Sequence, residues 1–315
     1  MTELDGAERL DPALRAIATT RTDFSLEAIR LMREPFDQRR REAAEYTGTS
    51  GVQIAEDNVA SETGTVPVRI YRGGPAHPAV PGPVVVYCHA GGFALGNLDT
   101  DHRQCVELAR RGRCTVVSVD YRLAPEHPYP AALDDAIAVL RWVVAHATEL
   151  GADAARVAVA GSSAGAALAA CLAHGAADGS LPPVVFQLLH QPVLDDRPTA
   201  SKTEFRTSPA FDSEAADLMW RHYLGTDAGT PDAAPARRTR LAGLPPALIT
   251  CAEIDPFRDE AVDYALRLLR AGVSTELHVF ARTCHGFDSL LPDWPVSGRL
   301  FTLQGEALQR LWYEA

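Results

Sequence analysis

The chain has no long hydrophobic run, no closely paired cysteines and no basic cluster large enough to override its acidic balance. Its longest apolar stretches, such as 83–88, have strand length, far short of the ~18 residues a membrane helix needs, so no membrane span is expected. The six cysteines (Cys88, Cys105, Cys114, Cys171, Cys251 and Cys284) are scattered, and none forms a C-x-x-C pair. That spacing argues against a zinc ribbon or a thioredoxin-like redox site, and neither a metal nor an organic cofactor is expected. The first ten residues carry acids instead of a basic region followed by an apolar core, so they are not read as a secretory signal. The thiols are then expected to be reduced and mostly buried in a cytoplasmic protein. With a formal net charge of -11 and no basic cluster to override it, nucleic acid is not an expected partner. Internal repeats are lacking, and the one compositionally biased stretch is a Pro/Ala/Arg-rich segment at 230–239.

What is present fits a soluble globular protein of 315 residues with 46% hydrophobic and 23% charged side chains. Early in the chain, Leu26, Ile29, Met32 and Phe36 recur at helical spacing, with Pro35 expected to interrupt that helix or start another. Alternation of Val66, Val68 and Ile70 over 65–72 predicts a half-buried strand of antiparallel type. From residue 83 onward, short apolar runs at 84–88, 115–119, 157–160, 184–189, 247–251 and 276–280 alternate with helical segments. Those helices are expected at 102–111, 131–150, 164–177, 259–271 and 300–311. Strands buried on both faces and separated by helices predict a mainly parallel α/β sheet with helices on either side. Between 195 and 244 the alternation stops; a helical stretch at 213–224 and the biased linker read as an insertion above the sheet.

The sequence Gly161-Ser162-Ser163-Ala164-Gly165 follows the run at 157–160 and opens an alanine-rich helix. A serine hydroxyl is a weak nucleophile and has to be exposed, held and deprotonated to attack. A tight strand-to-helix turn flanked by small residues provides the exposure, and the helix N-terminus favours developing negative charge. G-x-S-x-G alone is weak evidence; its position between a buried strand and a helix marks Ser163 as the candidate nucleophile.

The strand at 84–88 runs into His89-Ala90-Gly91-Gly92-Phe93. Adjacent glycines there free backbone N–H groups for an oxyanion, so Gly91, Gly92 and the Ala164 N–H are the candidate donors. His89 is read as a structural residue bracing the loop. Of the histidines after Ser163 (His174, His190, His222, His278 and His285), His285 is the best candidate base, because it lies beyond the last strand in a loop able to reach the serine. His174 and His278 fall inside predicted elements, and His222 falls in the insertion. At the end of the run 247–251, Asp255, followed by Pro256, is the leading candidate acid; Glu253 ranks second, and Asp259 is expected to cap the next helix.

Together these residues resemble the hormone-sensitive-lipase-like esterases, the bacterial family IV. The likeness rests on His89-Ala90-Gly91-Gly92-Phe93, on Gly161 to Ala166, on Asp255-Pro256-Phe257-Arg258-Asp259, on His285-Gly286-Phe287, and on the long segment from Asp120 to Ala131. It implies an α/β-hydrolase fold with a mostly parallel eight-stranded sheet and a helical cap. The cap would comprise 1–48 and 195–240, and the catalytic domain 49–194 and 241–315. It also implies that Ser163, Asp255 and His285 form the catalytic triad, that Gly91, Gly92 and Ala164 donate to the oxyanion, and that 120–131 is structural. The sequence departs from the family pattern at Ala90, which stands for the first loop glycine, at Ser162, which stands for the usual Asp, and at Ala166.

The activity so implied is hydrolysis of short- to medium-chain carboxylic esters through an acyl-enzyme, on a small-molecule substrate, by a monomer or homodimer. The same machinery would serve a deacetylase acting on an N- or O-acetylated natural product. A non-catalytic ligand receptor of this fold would lack the histidine base, which is present here. Cys284, next to His285, is read as an inert buried thiol, with a functional thiol as the rival.

Overall fold

The computed structural model describes residues 5–74, 81–226 and 229–313; of the predicted cap segments, residues 1–4 and 227–228 lie outside the described residues. Eight strands form one sheet in the order β1-β2-β4-β3-β5-β6-β7-β8. They are β1 Val52–Ser61, β2 Gly64–Gly73, β3 Gly82–Cys88, β4 Thr115–Val119, β5 Ala152–Ser162, β6 Phe186–His190, β7 Ala247–Ile254 and β8 Thr275–Cys284. The β1–β2 and β2–β4 pairs are antiparallel, and the remaining pairs are parallel. The helices are α1 Pro12–Arg15, α2 Leu26–Glu45, α3 His102–Gly112, α4 Ala131–Ala145, α5 Ala164–Ala177, α6 Ala200–Glu204, α7 Ser213–Leu224, α8 Arg258–Arg270, α9 Phe287–Leu290 and α10 Pro295–Tyr313.

The period-2 rule sorts the central strands onto two cores. Val84, Val86, Val117, Val159 and Ile249 face one side, where α4, α5 and α8 cover them. Val85, Tyr87, Val116, Ala158 and Leu248 face the other, under α3 and α10. Because α3 and α5 lie on opposite faces, the chain leaves β3 and β5 in opposite directions, which opens a crevice between their carboxyl ends. That is the topological switch point at which open α/β sheets place their ligands.

Three expectations are corrected. Pro35 neither ends α2 nor starts another helix: α2 runs unbroken for 20 residues with Pro35 inside it. Anchors on both sides of the proline hold it, because Ile29, Met32 and Phe36 pack on the core, and Arg33 donates to the carbonyls of Ala94 (3.0 Å) and Ala124 (2.8 Å). A strand the sequence did not announce, β1, pairs only with β2 and is exposed along most of its length, so no core face imposes alternation on it. Asp259 does not cap α8; it sits within the first turn and accepts the Ser201 N–H at 2.8 Å.

The interval after β6 holds α6, α7 and a short helical turn at Pro235–Arg237, and no strand of the sheet among the described residues. Its base carries an ion pair between Lys202, the chain's one lysine, and the buried Glu260 of α8 at 2.6 Å. The insertion joins the N-terminal segment directly: His222 Nε2–H donates to the carbonyl of Phe24 at 2.9 Å, and Phe24 stacks edge-on against Phe211. No helix among the described residues is long and apolar enough to cross a membrane.

Candidate active site

Ser163 sits in the turn between β5 and α5 with φ 54° and ψ -117°, a left-handed conformation that costs about 1–3 kcal/mol for a residue with a Cβ. The neighbouring backbone enforces it. Ser163 N–H donates to the carbonyl of His190 on the adjacent strand at 2.8 Å, and its own carbonyl accepts from Val193 N–H at 3.2 Å. The turn closes so tightly that a Cβ on Gly165 would stand 2.0 Å from the carbonyl oxygen of Cys88 at the end of β3. Glycine at that position is therefore a packing necessity, and it brings the β3 loop against the serine.

That loop is braced from beneath. Tyr121 donates its hydroxyl to the His89 carbonyl at 2.7 Å, and the two rings stack at 4.2 Å. Ala90 N–H donates to the buried Asp101 at 2.8 Å, and the Ala124 N–H reaches the Phe93 carbonyl at 2.8 Å. His89 is fully buried and donates from Nδ1 to the Ala90 carbonyl at 2.7 Å, which is the bracing role read from the sequence. The 120–131 segment is structural too, with Arg122 forked onto Asp135. So braced, the loop holds Gly91 at φ 132°, where a Cβ would lie 2.0 Å from the Leu95 carbonyl. Among the described residues, the N–H groups of Gly91, Gly92 and Ala164 donate to no protein acceptor. Ala90, in the place of the first loop glycine, has no positive φ and keeps its N–H on Asp101.

His285 follows β8 and turns back toward the serine. Ser163 donates its hydroxyl to Nε2 at 2.9 Å, and Nδ1–H donates to Asp255 Oδ2 at 2.8 Å. Asp255 is fully buried at the end of β7, and its other oxygen accepts the Phe257 N–H at 2.8 Å. Phe257 and Phe211 flank the imidazole at 5.2 and 5.6 Å. A hydroxyl, a neutral imidazole and a buried carboxylate in this order can move a proton off the serine and stabilise the imidazolium that results. Glu253, the rival acid, is committed elsewhere: it accepts from Arg9 at 2.9 Å and from the Arg282 N–H at 2.8 Å. His174 is buried against the Tyr264 hydroxyl at 2.7 Å, and His278 is exposed on β8.

The structure adds two side chains that the sequence did not single out. Gln191, with φ 45°, receives the Gly286 N–H on Oε1 at 2.5 Å and so ties the His285 loop to β6. His190 donates from Nε2 to Asp288 at 3.1 Å, and this contact holds the Asp288 carboxyl below its ordinary range although burial pushes the other way. Neither lies in a motif, since both act only through neighbours brought up by the sheet. Cys284 is fully buried, and burial raises its thiol to about 12, which keeps it protonated and inert. All six cysteines are free and buried.

Above the serine is a cavity of about 600 Å³. Ser163, His285, Gly91 and Gly92 form part of its wall; Phe24, Met32 and Phe36 from the N-terminal segment and Phe211 from the insertion form another part. Among the described residues, no cluster of three or more His, Cys, Asp or Glu is arranged to hold a metal ion.

A family model described as alpha/beta hydrolase fold matches residues 85–289. Esterase LipI of Mycobacterium tuberculosis is 45% identical over 240 residues, 75% of this chain and 74% of LipI. Carboxylesterase NlhH of the same organism is 44% identical, over 70% of this chain and 71% of NlhH. The crystal structure of esterase LipW from Mycobacterium marinum superposes with a TM-score of 0.96 at 69% identity, covering 99% of each chain.

Proposed function

The chain belongs to the alpha/beta hydrolase family and is a carboxylic ester hydrolase, and on that premise we propose that Ser163, His285 and Asp255 carry its reaction. The observation that supports this assignment above all is the unbroken relay from the Ser163 hydroxyl through both nitrogens of His285 to the buried Asp255. His285 takes the serine proton as Oγ attacks the ester carbonyl, and Asp255 stabilises the imidazolium. The carbonyl oxygen becomes an oxyanion and receives N–H bonds from Gly91, Gly92 and Ala164, each such donor typically contributing a factor of about 10²–10³ in rate. The imidazolium then returns its proton to the leaving alcohol. Water, deprotonated by His285, cleaves the acyl-serine, releasing the acid and restoring the hydroxyl.

Residues 1–48 and 195–240 act as a cap over a catalytic body of 49–194 and 241–315. The contribution of Phe24, Met32, Phe36 and Phe211 to the cavity wall supports that division. Their apolar bulk suits short to medium acyl chains. The enzyme works in the cytoplasm on a small-molecule ester, as a monomer or homodimer; six free buried thiols fit a reducing compartment, and the charge of -11 disfavours nucleic acid. The receptor reading loses its support, since His285 is present and engaged on both nitrogens.

The test is hydrolysis of p-nitrophenyl esters from acetyl to long chains by wild type and Ser163→Ala in parallel. Activity that peaks at short to medium chains and vanishes in the variant supports the reading. Comparable turnover by Ser163→Ala overturns it.

A further inference from the structure

Alongside the cavity over Ser163 lies a second of about 460 Å³. The two share Arg40, Ala43, Thr100, Asp288 and Ser289 in their walls, so they meet at the inner side of α2. Arg40 stands at this junction, half-buried, with its guanidinium 4.9 Å from the centre of the Phe36 ring. A guanidinium carries five N–H donors. Among the described residues, Arg40 forms no ion pair within 4.0 Å and no side-chain hydrogen bond, whereas Arg33 on the same helix is fully engaged with Ala94, Ala124 and Glu126.

The two acids that act on its charge, Asp101 and Asp288, form no ion pair with it within 4.0 Å, and each turns one carboxylate oxygen to other donors. Asp101 accepts the Tyr87 hydroxyl at 3.0 Å and the Ala90 N–H at 2.8 Å, and Asp288 accepts from His190 at 3.1 Å. Burial disfavours the Arg40 charge, and those two acids offset this only partly, since the guanidinium stays below its ordinary proton affinity. A half-buried cation with unused donors gains from an anionic partner. In a protein of net charge -11, an anion would not be drawn to this face by the overall field. The attraction has to be local, and Arg40 provides it inside the cavity that holds the reacting serine, with the exposed Arg39 adding a second positive charge on the same wall.

We propose that Arg40 is a specificity-determining residue that binds a carboxylate carried by the ester substrate at the end remote from the scissile bond. The natural substrate class is then a half-ester of a dicarboxylic acid or an acylated hydroxy acid. A forked guanidinium suits a planar carboxylate through two parallel N–H bonds, and the Phe36 ring packs 4.9 Å from it. The proposal rests on the assignment of Ser163 as nucleophile, and the test separates the two.

Acid release is followed in a pH-stat for two matched pairs: monoethyl adipate against ethyl hexanoate, which places the carboxylate on the acyl side, and 6-acetoxyhexanoate against hexyl acetate, which places it on the alcohol side. Wild type, Arg40→Gln, Arg40→Lys and Ser163→Ala are compared, and the readout is the ratio of kcat/KM for the anionic ester to its neutral partner. For one of the pairs, Arg40→Gln is expected to lower that ratio ~10-fold or more, the usual scale for a charged hydrogen bond. The loss falls mainly on KM, Arg40→Lys retains part of the ratio, and added salt lowers it in the wild type. If Arg40→Gln leaves the ratio unchanged for both pairs, or reduces anionic and neutral esters alike, this proposal is overturned while the esterase assignment stands. If Ser163→Ala hydrolyses the neutral esters as the wild type does, the underlying assignment fails instead.

Discussion

Ser163 and His190 are joined through their backbones, the N–H of the serine donating to the carbonyl of the histidine at 2.8 Å across β5 and β6. The next residue, Gln191, accepts the Gly286 N–H beside His285 at 2.5 Å. One dipeptide at the end of β6 thus fixes the positions of both the serine and the histidine loop. Gln191→Ala removes the side-chain half of this link and leaves the backbone half intact. A loose histidine loop spoils alignment, and small misplacements are worth up to about 10²-fold. We expect kcat for a p-nitrophenyl ester to fall ~10–100-fold with KM changed little. An unchanged kcat in Gln191→Ala would remove Gln191 from this positioning role.

The two acids that competed in the sequence should separate cleanly by mutation. Asp255→Asn leaves the fold intact but reverses the hydrogen bond to His285, and is expected to lower kcat by about 10⁴-fold. Glu253→Gln touches only Arg9 and the Arg282 N–H, so turnover should stay within about 2-fold of wild type while Tm falls slightly. Steady-state kinetics and thermal denaturation on the two variants check the pair, and equal losses in both would contradict the assignment.

His174 should make the fold acid-sensitive. Burial first, then the charges of Arg238 and Arg267, pull its pKa down to about 3. The unfolded chain therefore binds a proton that the folded chain refuses between its ordinary value and about 3. Stability contributed by neutral His174 is complete above the unfolded value and declines as the pH falls below it, by at most about 1.4 kcal/mol per unit. His174→Gln, which cannot titrate, should flatten the dependence of urea-unfolding free energy on pH between roughly 6.5 and 4.5. An undiminished slope in the variant would place the acid sensitivity elsewhere.

Legibility in the sequence followed the physics of each element. The central strands were readable because burial on both faces forces continuous Val, Ile and Ala runs, and the Gly161 to Gly165 turn because a Cβ at Gly165 would meet the Cys88 carbonyl. Edge strand β1 was not readable, since no apolar face imposes a pattern on it. Pro35 misled because its local cost is outweighed by bonds that Arg33, on the same helix, makes to the carbonyls of distant loops. Gln191, His190 and Arg40 belong to no motif. Their roles arise from strand adjacency and from the meeting of two cavities, relations of three-dimensional neighbourhood that one-dimensional spacing does not carry.

If Ser163 is the residue acylated during turnover, a phosphorylating ester analogue traps it there. Diethyl p-nitrophenyl phosphate is added to the protein, p-nitrophenolate release is measured, and the modified peptide is located by mass spectrometry. One diethylphosphoryl group per chain is expected, attached at Ser163, with loss of esterase activity in proportion and no labelling of Ser163→Ala. A label on another residue that abolishes activity, or full activity in a chain labelled at Ser163, would contradict that role.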